Sequence, residues 1–183
     1  NFRQIRLSDM KQAITCIEAS GSISCDSSFV NMYIWENIYQ QLIHFENGFL
    51  FRCGQGPNRF VYKFPLGSGD IFAALKLVEQ DAASCGKIPE FDALTKENCE
   101  IIAKAFPDTP YSFHIMPGAA DYIYKTQDLV NLSGRTYHAK RNFINRFQRQ
   151  YADRSEIGVI TEKDYDEILE FNKKWCEKDG CIH

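Results

Sequence analysis

The residues best suited to chemistry in this sequence form one cationic segment that contains no acid. Between Asp128 and Asp153 the chain has no carboxylate side chain, yet it has five strong bases: Arg135, Lys140, Arg141, Arg146 and Arg149. The guanidinium of arginine presents a fork of N–H donors that matches the oxygens of phosphate and carboxylate groups. The segment therefore predicts a surface that binds an anion.

The spacing of these residues predicts a helix over residues 134–151 with two different faces. At about 100° per residue, one arc collects the hydrogen-bond donors Arg135, His138, Asn142, Asn145, Arg146 and Arg149. The opposite side carries Tyr137, Phe143, Ile144, Phe147 and Tyr151, which we expect to face the core. Asparagine is a poor helix former, so two of them on the donor face favour binding. The alternative is a solvated basic face that balances acids elsewhere in the chain.

A second anion site is predicted at Gly67, Ser68 and Gly69, between a predicted strand and the start of a helix. Glycines at such a turn let backbone N–H groups converge beside the positive end of the helix dipole. The turn lacks the lysine of a P-loop and the spacing of a dinucleotide fingerprint. Asp70 supports the alternative of a plain capped helix, because its carboxylate would satisfy the first N–H groups and repel a bound anion.

Composition limits the classes of protein that this chain can represent. Its 183 residues are 44% hydrophobic and 14% aromatic, which supports a buried core. No apolar run approaches the ~18 residues that a membrane span requires. The net charge of −3 means that affinity for a polyanion must come from local clustering. Seven cysteines without CxxC spacing and four scattered histidines predict no metal site and no disulfide framework. Reduced thiols indicate a cytoplasmic protein.

Helices and strands interleave along the chain, which predicts an α/β layered domain with a largely antiparallel sheet flanked by helices. We predict helices over residues 8–20, 29–36 and 71–84, another after Thr95, a turn capped by Thr126 and a last helix that ends near 178. The expected caps are Ser8, Ser27 or Ser28, Thr95, and Thr161 with Asp164. Strands are predicted at 2–7, 39–45, 49–53, 59–64, 109–116, 121–124 and 156–160, with turns at 46–48 and 54–58.

One internal similarity bears on domain organisation. Residues 2–20 and residues 157–178 both follow the order strand, cap and helix, about 155 residues apart. We therefore predict a first module over residues 1–155 and the opening strand and helix of a second, incomplete module over 156–183. The alternative is that two strand–helix units are similar only by chance. The first residue is Asn1 rather than Met, which fits a fragment of a longer chain.

Several of these segments together resemble a known family. The sequence from Ala120 to Tyr124, the pair Asp128-Leu129 and the run from Leu132 to Phe147 resemble the family named for the C-terminal domain of phosphatidylglycerol lysyltransferase. The most specific part is Tyr-x-x-Lys-Arg-Asn, here Tyr137, Lys140, Arg141 and Asn142. Residues 31–35 and 64–70 are also similar to that family.

The resemblance implies a GNAT-like fold, the fold of acyl-CoA N-acyltransferases, usually present as two tandem modules. It also implies transfer of an acyl or aminoacyl group, with aminoacyl-tRNA, another phosphate-bearing molecule or acyl-CoA as donor. Acyl-CoA enzymes of this fold carry a Gln/Arg-x-x-Gly-x-Gly/Ala turn, and here Phe64 occupies its first position. This departure counts against acyl-CoA, and no other cofactor is implied. A membrane-spanning segment is absent from the sequence, and peripheral contact with a membrane stays open.

Within this hypothesis, Arg135, Lys140, Arg141 and Arg146 would hold the anionic donor, and Gly67 to Gly69 would cradle a phosphate. His114, Tyr122 and Tyr124 are the candidates for proton transfer, although His114 in an apolar strand is more typical of a core residue. Two alternatives stay open. The chain could be a non-catalytic module that binds tRNA or a nucleotide, or a scaffold whose basic helix packs against a second GNAT-like module.

Overall fold

The computed structural model of the chain describes residues 2–55, 58–120 and 122–180. Predictions that involve Gly56, Pro57, Asp121, Cys181 and His183 lie outside the described residues. The backbone separates into two compact units, Asn1–Tyr122 and Ile123–His183. The division predicted between residues 155 and 156 rests on a tandem repeat and stays a prediction.

The first unit is built on a mixed sheet of short strands. Within the described residues these are β1 (Arg3–Gln4), β2 (Leu42–Glu46), β3 (Phe49–Cys53), β4 (Val61–Tyr62), β5 (Leu66–Gly67) and β6 (Glu90–Phe91). The order is β1-β2-β3-β4-β6, and β5 pairs with β3. Each pair is antiparallel except β4 with β6. With helices between the strands, this arrangement confirms a mixed α/β fold with a largely antiparallel sheet.

The β2–β3 hairpin is the longest ladder of the sheet and confirms the predicted turn. Asn47 and Gly48 have φ angles of 49° and 79°, which a two-residue hairpin turn requires. They bring Glu46 opposite Phe49. The strand β2 begins at Leu42 rather than at residue 39, because the chain up to Tyr39 is helical.

The α-helices that accompany this sheet in the described part of the unit are α1 (Met10–Ser20), α2 (Phe29–Ile34), α3 (Glu36–Tyr39), α4 (Ile71–Ser84) and α5 (Lys96–Ala105). The predicted bounds of α4 are confirmed, as are the caps Ser28 and Thr95, whose side chains accept from the amides of Asn31 and Asn98. The cap predicted at Ser8 is wrong. A 3₁₀ turn precedes α1, and the Asp9 carboxylate accepts from the amide of Arg6 at 2.7 Å instead.

The core lies on both faces of β3, all five residues of which are buried. Side chains alternate along a strand, so Leu50 faces the cluster that includes Ala13 and Cys16 of α1. Phe49 and Phe51 lie in another cluster with residues of α4. Full burial of a side chain such as Leu50 stabilises the fold by about 2 kcal/mol. Arg52, on the same strand, is also buried.

Three predicted strands are wrong: residues 109–116, the described part of 121–124 and residues 156–160 have no sheet partner in the structure. His114 is accordingly exposed and not a core residue. Alternation of apolar and polar residues only says which side chains would share a face. A strand also needs a free edge of a sheet to pair with, and that edge depends on residues far away in the sequence.

The second unit contains the helices α6 (Thr126–Asn131), α7 (His138–Tyr151) and α8 (Tyr165–Asp179). Thr126 is the first residue of α6 and not its cap, which corrects the prediction. The Thr161–Asp164 cap is confirmed, with the Thr161 amide donating to the Asp164 carboxylate at 2.7 Å. The 3₁₀ turn before α8 thus has the same hydrogen bond as the turn before α1, although the tandem repeat itself stays untested.

The aromatic side of α7 does not face a core, contrary to the prediction. Phe143 is 61% exposed and Phe147 48% exposed, and no residue of α7 is buried. The segment does form a helix, as predicted, but no other element among the described residues of the second unit packs over its aromatic side. The helix also begins at His138, so Gly134, Arg135 and Tyr137 precede it. In the described ranges, no helix is long and apolar enough to cross a membrane.

Candidate functional site

Part of the predicted donor face forms a groove on α7. Asn142, Arg146 and Arg149 line an open groove of about 760 Å³ together with Phe143 and other residues of the same helix. Their spacing of four and three residues places them on one side of the helix. The structure therefore brings together three of the predicted anion-binding residues. We call this surface the α7 groove.

The two arginines of the α7 groove keep donors available for a ligand. The Arg146 guanidinium lies 5.0 Å above the Phe143 ring, a contact that leaves its N–H edge able to donate. Arg149 Nε donates to the backbone oxygen of Asn145 at 3.3 Å. Neither arginine has a carboxylate within salt-bridge distance in the described part of the chain. Two unneutralised guanidinium groups one helical turn apart suit a phosphate or a carboxylate.

Arg141 has a structural task instead. Its Nη1 donates to the backbone oxygens of Leu132 and Gly134, at 2.8 Å for the latter. Leu132 ends α6 with a φ of 47°, and Gly134 has a φ of 84°. Arg141 thus satisfies the carbonyl groups of the α6–α7 loop, where helical partners are missing. Its predicted contact with a ligand stays a prediction, but its sequence position is explained by the loop.

The remaining basic and polar residues of the segment lie in different surroundings. Lys140 Nζ lies 5.6 Å from the centre of the Tyr124 ring. His138 Nδ1 and Asn142 Nδ2 are 3.4 Å apart, one turn from each other. Arg135 is exposed in the loop before the helix. Neither His138 nor Asn145 lines the α7 groove, so the groove is smaller than the predicted face.

Close packing against the hairpin explains the glycine at position 67 of the predicted anion site. A Cβ on Gly67 would collide with the backbone oxygen of Gly48 and approach Cα of Phe49 to 2.9 Å, so β5 reaches the hairpin only as glycine. Asp70 Oδ1 accepts the amides of Phe72 and Ala73 at 3.0 Å. The first N–H groups of α4 are therefore bound to a carboxylate already. Anion binding at Gly67, Ser68 and Gly69 stays a prediction.

The three candidates for proton transfer lie on segments of the chain outside α7. His114 Nε2 lies 3.3 Å from the Ser112 hydroxyl on an exposed segment. Tyr122 is 90% exposed, and Tyr124 lies beneath Lys140. None of the three lines the α7 groove. Their catalytic role stays a prediction.

The sequence reasoning missed a second cavity, which lies in the first unit and is lined by Arg52 and Glu36 among others. The available signal was an arginine inside the apolar strand sequence Phe-Leu-Phe-Arg-Cys. A charged residue at a buried strand position requires a partner. An arginine in such a sequence therefore indicates a polar site inside the fold.

Comparison with known proteins gives one family and two relatives. The family model described as phosphatidylglycerol lysyltransferase, C-terminal, matches residues 18–181. A crystal structure of a conserved protein of unknown function from Bacteroides thetaiotaomicron superposes with a TM-score of 0.81 at 29% identity, over 98% of this chain and 60% of that one. An uncharacterized protein of Mycoplasmoides gallisepticum is 30% identical over 61 residues, which are 33% of this chain and 20% of that protein. The chain thus spans 60% of the first relative and 20% of the second, which is less than two thirds of each.

Proposed function

The chain belongs to the phosphatidylglycerol lysyltransferase C-terminal family, and we propose that it is a GNAT-like acyl- or aminoacyltransferase module. In this proposal the α7 groove holds the anionic part of the donor. The observation that carries it is the pair Arg146 and Arg149, two guanidinium groups without carboxylate partners in the described residues, on one face with Asn142.

The proposed reaction is attack of an acceptor amine or hydroxyl on the carbonyl carbon of an ester or thioester. A bond forms between the acceptor atom and that carbon, the bond to the donor's oxygen or sulfur breaks, and the acceptor's proton ends on the leaving group. Positioning of the two reactants and N–H donors near the developing oxyanion supply most of the rate enhancement in such reactions. The arginines of the groove would position the donor by its phosphates.

Among donors, the features of this chain favour aminoacyl-tRNA over acyl-CoA. The turn that would bind the CoA pyrophosphate has Phe64 in its first position, and Asp70 occupies the amides that follow it. A groove on an acid-free helix is open enough for a polynucleotide backbone, which is bound mainly through its phosphates. We propose that a second GNAT-like module and a cytoplasmic location complete this arrangement, with peripheral membrane contact as one way to reach an acceptor.

The test is a pair of substitutions in the groove. Arg146→Gln with Arg149→Gln removes two donors and two charges, so we expect binding of bulk tRNA at low salt to weaken by about tenfold or more. The measurement is fluorescence anisotropy with labelled tRNA, repeated with coenzyme A as competitor.

The matched control is Lys96→Gln with Lys104→Gln on α5, which changes the net charge equally at two exposed sites of the first unit. We expect this control to bind nearly as tightly as the wild type. Equal affinity of the groove variant and the wild type would remove the α7 groove from the proposal.

A second candidate function is a non-catalytic binding or scaffold module. It is favoured by the exposed aromatic side of α7 and by the lining of the groove, which includes none of His114, Tyr122 and Tyr124. A scaffold would bury that aromatic side against another module. Incubation with aminoacyl-tRNA and a panel of amine and hydroxyl acceptors separates the two, because the transferase forms a product and the binding module does not.

A further inference from the structure

The strongest feature outside the α7 groove is a cavity of about 570 Å³ in the first unit. Binding sites for small molecules generally measure about 300–1,000 Å³. Met32, Trp35 and Tyr39 of the α2–α3 region contribute apolar and aromatic lining. Arg52 of β3 and Glu36 at the start of α3 contribute charge. We call it the Arg52 cavity.

Arg52 is a buried cation, and no carboxylate of the described residues lies within salt-bridge distance of it. It is 5% exposed, and its Nη1 donates to the backbone oxygen of Asp26 at 2.9 Å. Its Nε is buried and makes no hydrogen bond in the described residues. Burial lowers the pKa of Arg52 to about 10, so the group stays charged at neutral pH. The charges of Asp26 and Asp92 offset part of the cost of burying this cation, and a further hydrogen-bonded partner would offset more of it.

Glu36, which lines the same cavity, also has a carboxylate oxygen without a hydrogen-bond donor among the described residues. Its Oε1 is buried and accepts no hydrogen bond within the part of the chain that the structure describes. Buried polar atoms are nearly always paired with protein, water or ligand. The cavity is therefore lined by two charged side chains, Arg52 and Glu36, each of which has one atom without a hydrogen bond among the described residues.

The charges around the cavity decide which ligand fits. Three carboxylates, Asp26, Glu36 and Asp92, stand against two cations, Arg52 and Lys63. Lys63 and Asp92 pair with each other at 2.8 Å. The lining is therefore slightly acidic overall, which disfavours a dianion such as phosphate. A ligand that brings one negative and one positive group can pair with the Arg52 guanidinium and the Glu36 carboxylate and leaves the charge balance unchanged.

We propose that the Arg52 cavity binds a small zwitterion, with its carboxylate on Arg52 and its ammonium group on Glu36. Trp35 and Tyr39 would cover the apolar part of the molecule. The site belongs to the first unit and does not depend on the α7 groove, so either proposal can fail without the other.

The test uses the two tryptophans of the chain, Trp35 in the cavity and Trp175 on α8. In ¹⁵N-labelled protein each gives one indole N–H signal, which Trp175→Phe assigns. Free glycine, γ-aminobutyrate and glutamine serve as zwitterions with different spacings, and acetate and inorganic phosphate serve as plain anions. We expect at least one zwitterion to shift the Trp35 signal saturably at millimolar concentration while Trp175 stays in place and the plain anions have little effect.

Two variants examine the two ends of the ligand. Glu36→Gln removes the negative charge, and Arg52→Lys keeps the charge but loses the forked guanidinium donors. We expect each to weaken binding by about tenfold or more, as for loss of a charge-assisted hydrogen bond. Glu97→Gln, an exposed first-turn residue of α5, is the matched control and should bind like the wild type.

The outcomes against the proposal are equally definite. No shift of Trp35 with any of the three zwitterions means that the Arg52 cavity does not bind this class of ligand. An equal shift with acetate or phosphate means a simple anion site. Unchanged affinity in Glu36→Gln means that no ammonium group contacts this carboxylate. Unaltered backbone amide signals of the first unit in each variant show that its fold is retained.

Discussion

At the scale of single residues, Asp81 shows how a half-buried carboxylate is held in this fold. Arg59 donates to both of its oxygens, at 2.6 and 2.9 Å, and the Tyr62 hydroxyl donates at 2.5 Å. Burial alone would raise the pKa of Asp81, but these hydrogen bonds outweigh it and hold the pKa below its ordinary value. The cluster connects β4 to α4.

Asp81→Asn is expected to destabilise the protein by about 2 kcal/mol, because it leaves the Arg59 guanidinium without its counter-charge. Urea unfolding measures the free energy of unfolding of the variant and of Asp108→Asn, an exposed control on the same unit. A similar loss in both variants would contradict the role of the cluster.

The loss of stability in Asp81→Asn is also expected to depend on pH. A carboxylate whose pKa is lowered in the folded state contributes stability above its unfolded pKa and loses it as the pH falls through the folded value. Asp81 and Asp9 both have lowered pKa values, Asp9 through its hydrogen bond with Arg3. The stability difference between wild type and Asp81→Asn should therefore be full at neutral pH and shrink below about pH 4. A difference that stays constant to pH 2 would contradict this account.

At the scale of elements, the contact between β5 and the β2–β3 hairpin depends on Gly67. Its φ is 154°, and the place of a Cβ is taken by the backbone of Gly48 and Phe49. Backbone atoms of a paired hairpin cannot move aside as the end of a flexible side chain can. The residue sequence Gly-Ser-Gly thus has a structural explanation that does not involve a ligand.

Gly67→Ala is expected to destabilise the protein by about 2 kcal/mol or more, as overpacking does in a close-packed interior. Gly118→Ala is the control, since a Cβ there meets no atom within 4 Å. Thermal or urea unfolding compares the two variants, and a Gly67→Ala protein as stable as the Gly118→Ala protein would show that the hairpin can shift.

At the scale of the whole molecule, charge is distributed unevenly. The chain has a net charge of −3, yet residues 129–152 contain no acid. Long-range attraction to a polyanion is therefore weak, and binding has to come from short-range contacts of a few bases. This distribution leads to a measurable salt dependence.

Binding of tRNA is expected to follow a log–log salt slope of about −2 to −4, because each phosphate contact contributes about −0.9. Arg146→Gln with Arg149→Gln should reduce the magnitude of that slope by about 2. The measurement is a titration series across salt concentrations. A slope that the double substitution leaves unchanged would place the phosphate contacts elsewhere in the chain.

The sequence by itself determined the features that depend on neighbours a few residues away. The Asn47-Gly48 turn, the caps at Ser28, Thr95 and Asp164, and the bounds of α4 were all predictable. A turn or a cap depends on hydrogen bonds over three or four residues, so the residue types within that short segment determine it. Family membership was also recognisable from a short segment, the Tyr-x-x-Lys-Arg-Asn motif.

Only the tertiary structure decided which of these local features became a site. It left the segment around His114 without a strand partner, exposed the aromatic side of α7 and turned Arg141 towards the α6–α7 loop. It also brought Arg52 and Glu36 to one cavity from different elements. Burial and pairing depend on residues distant in sequence. The number of arginines in the segment therefore predicts a basic surface, but it does not predict which arginines stay unpaired and can bind a ligand.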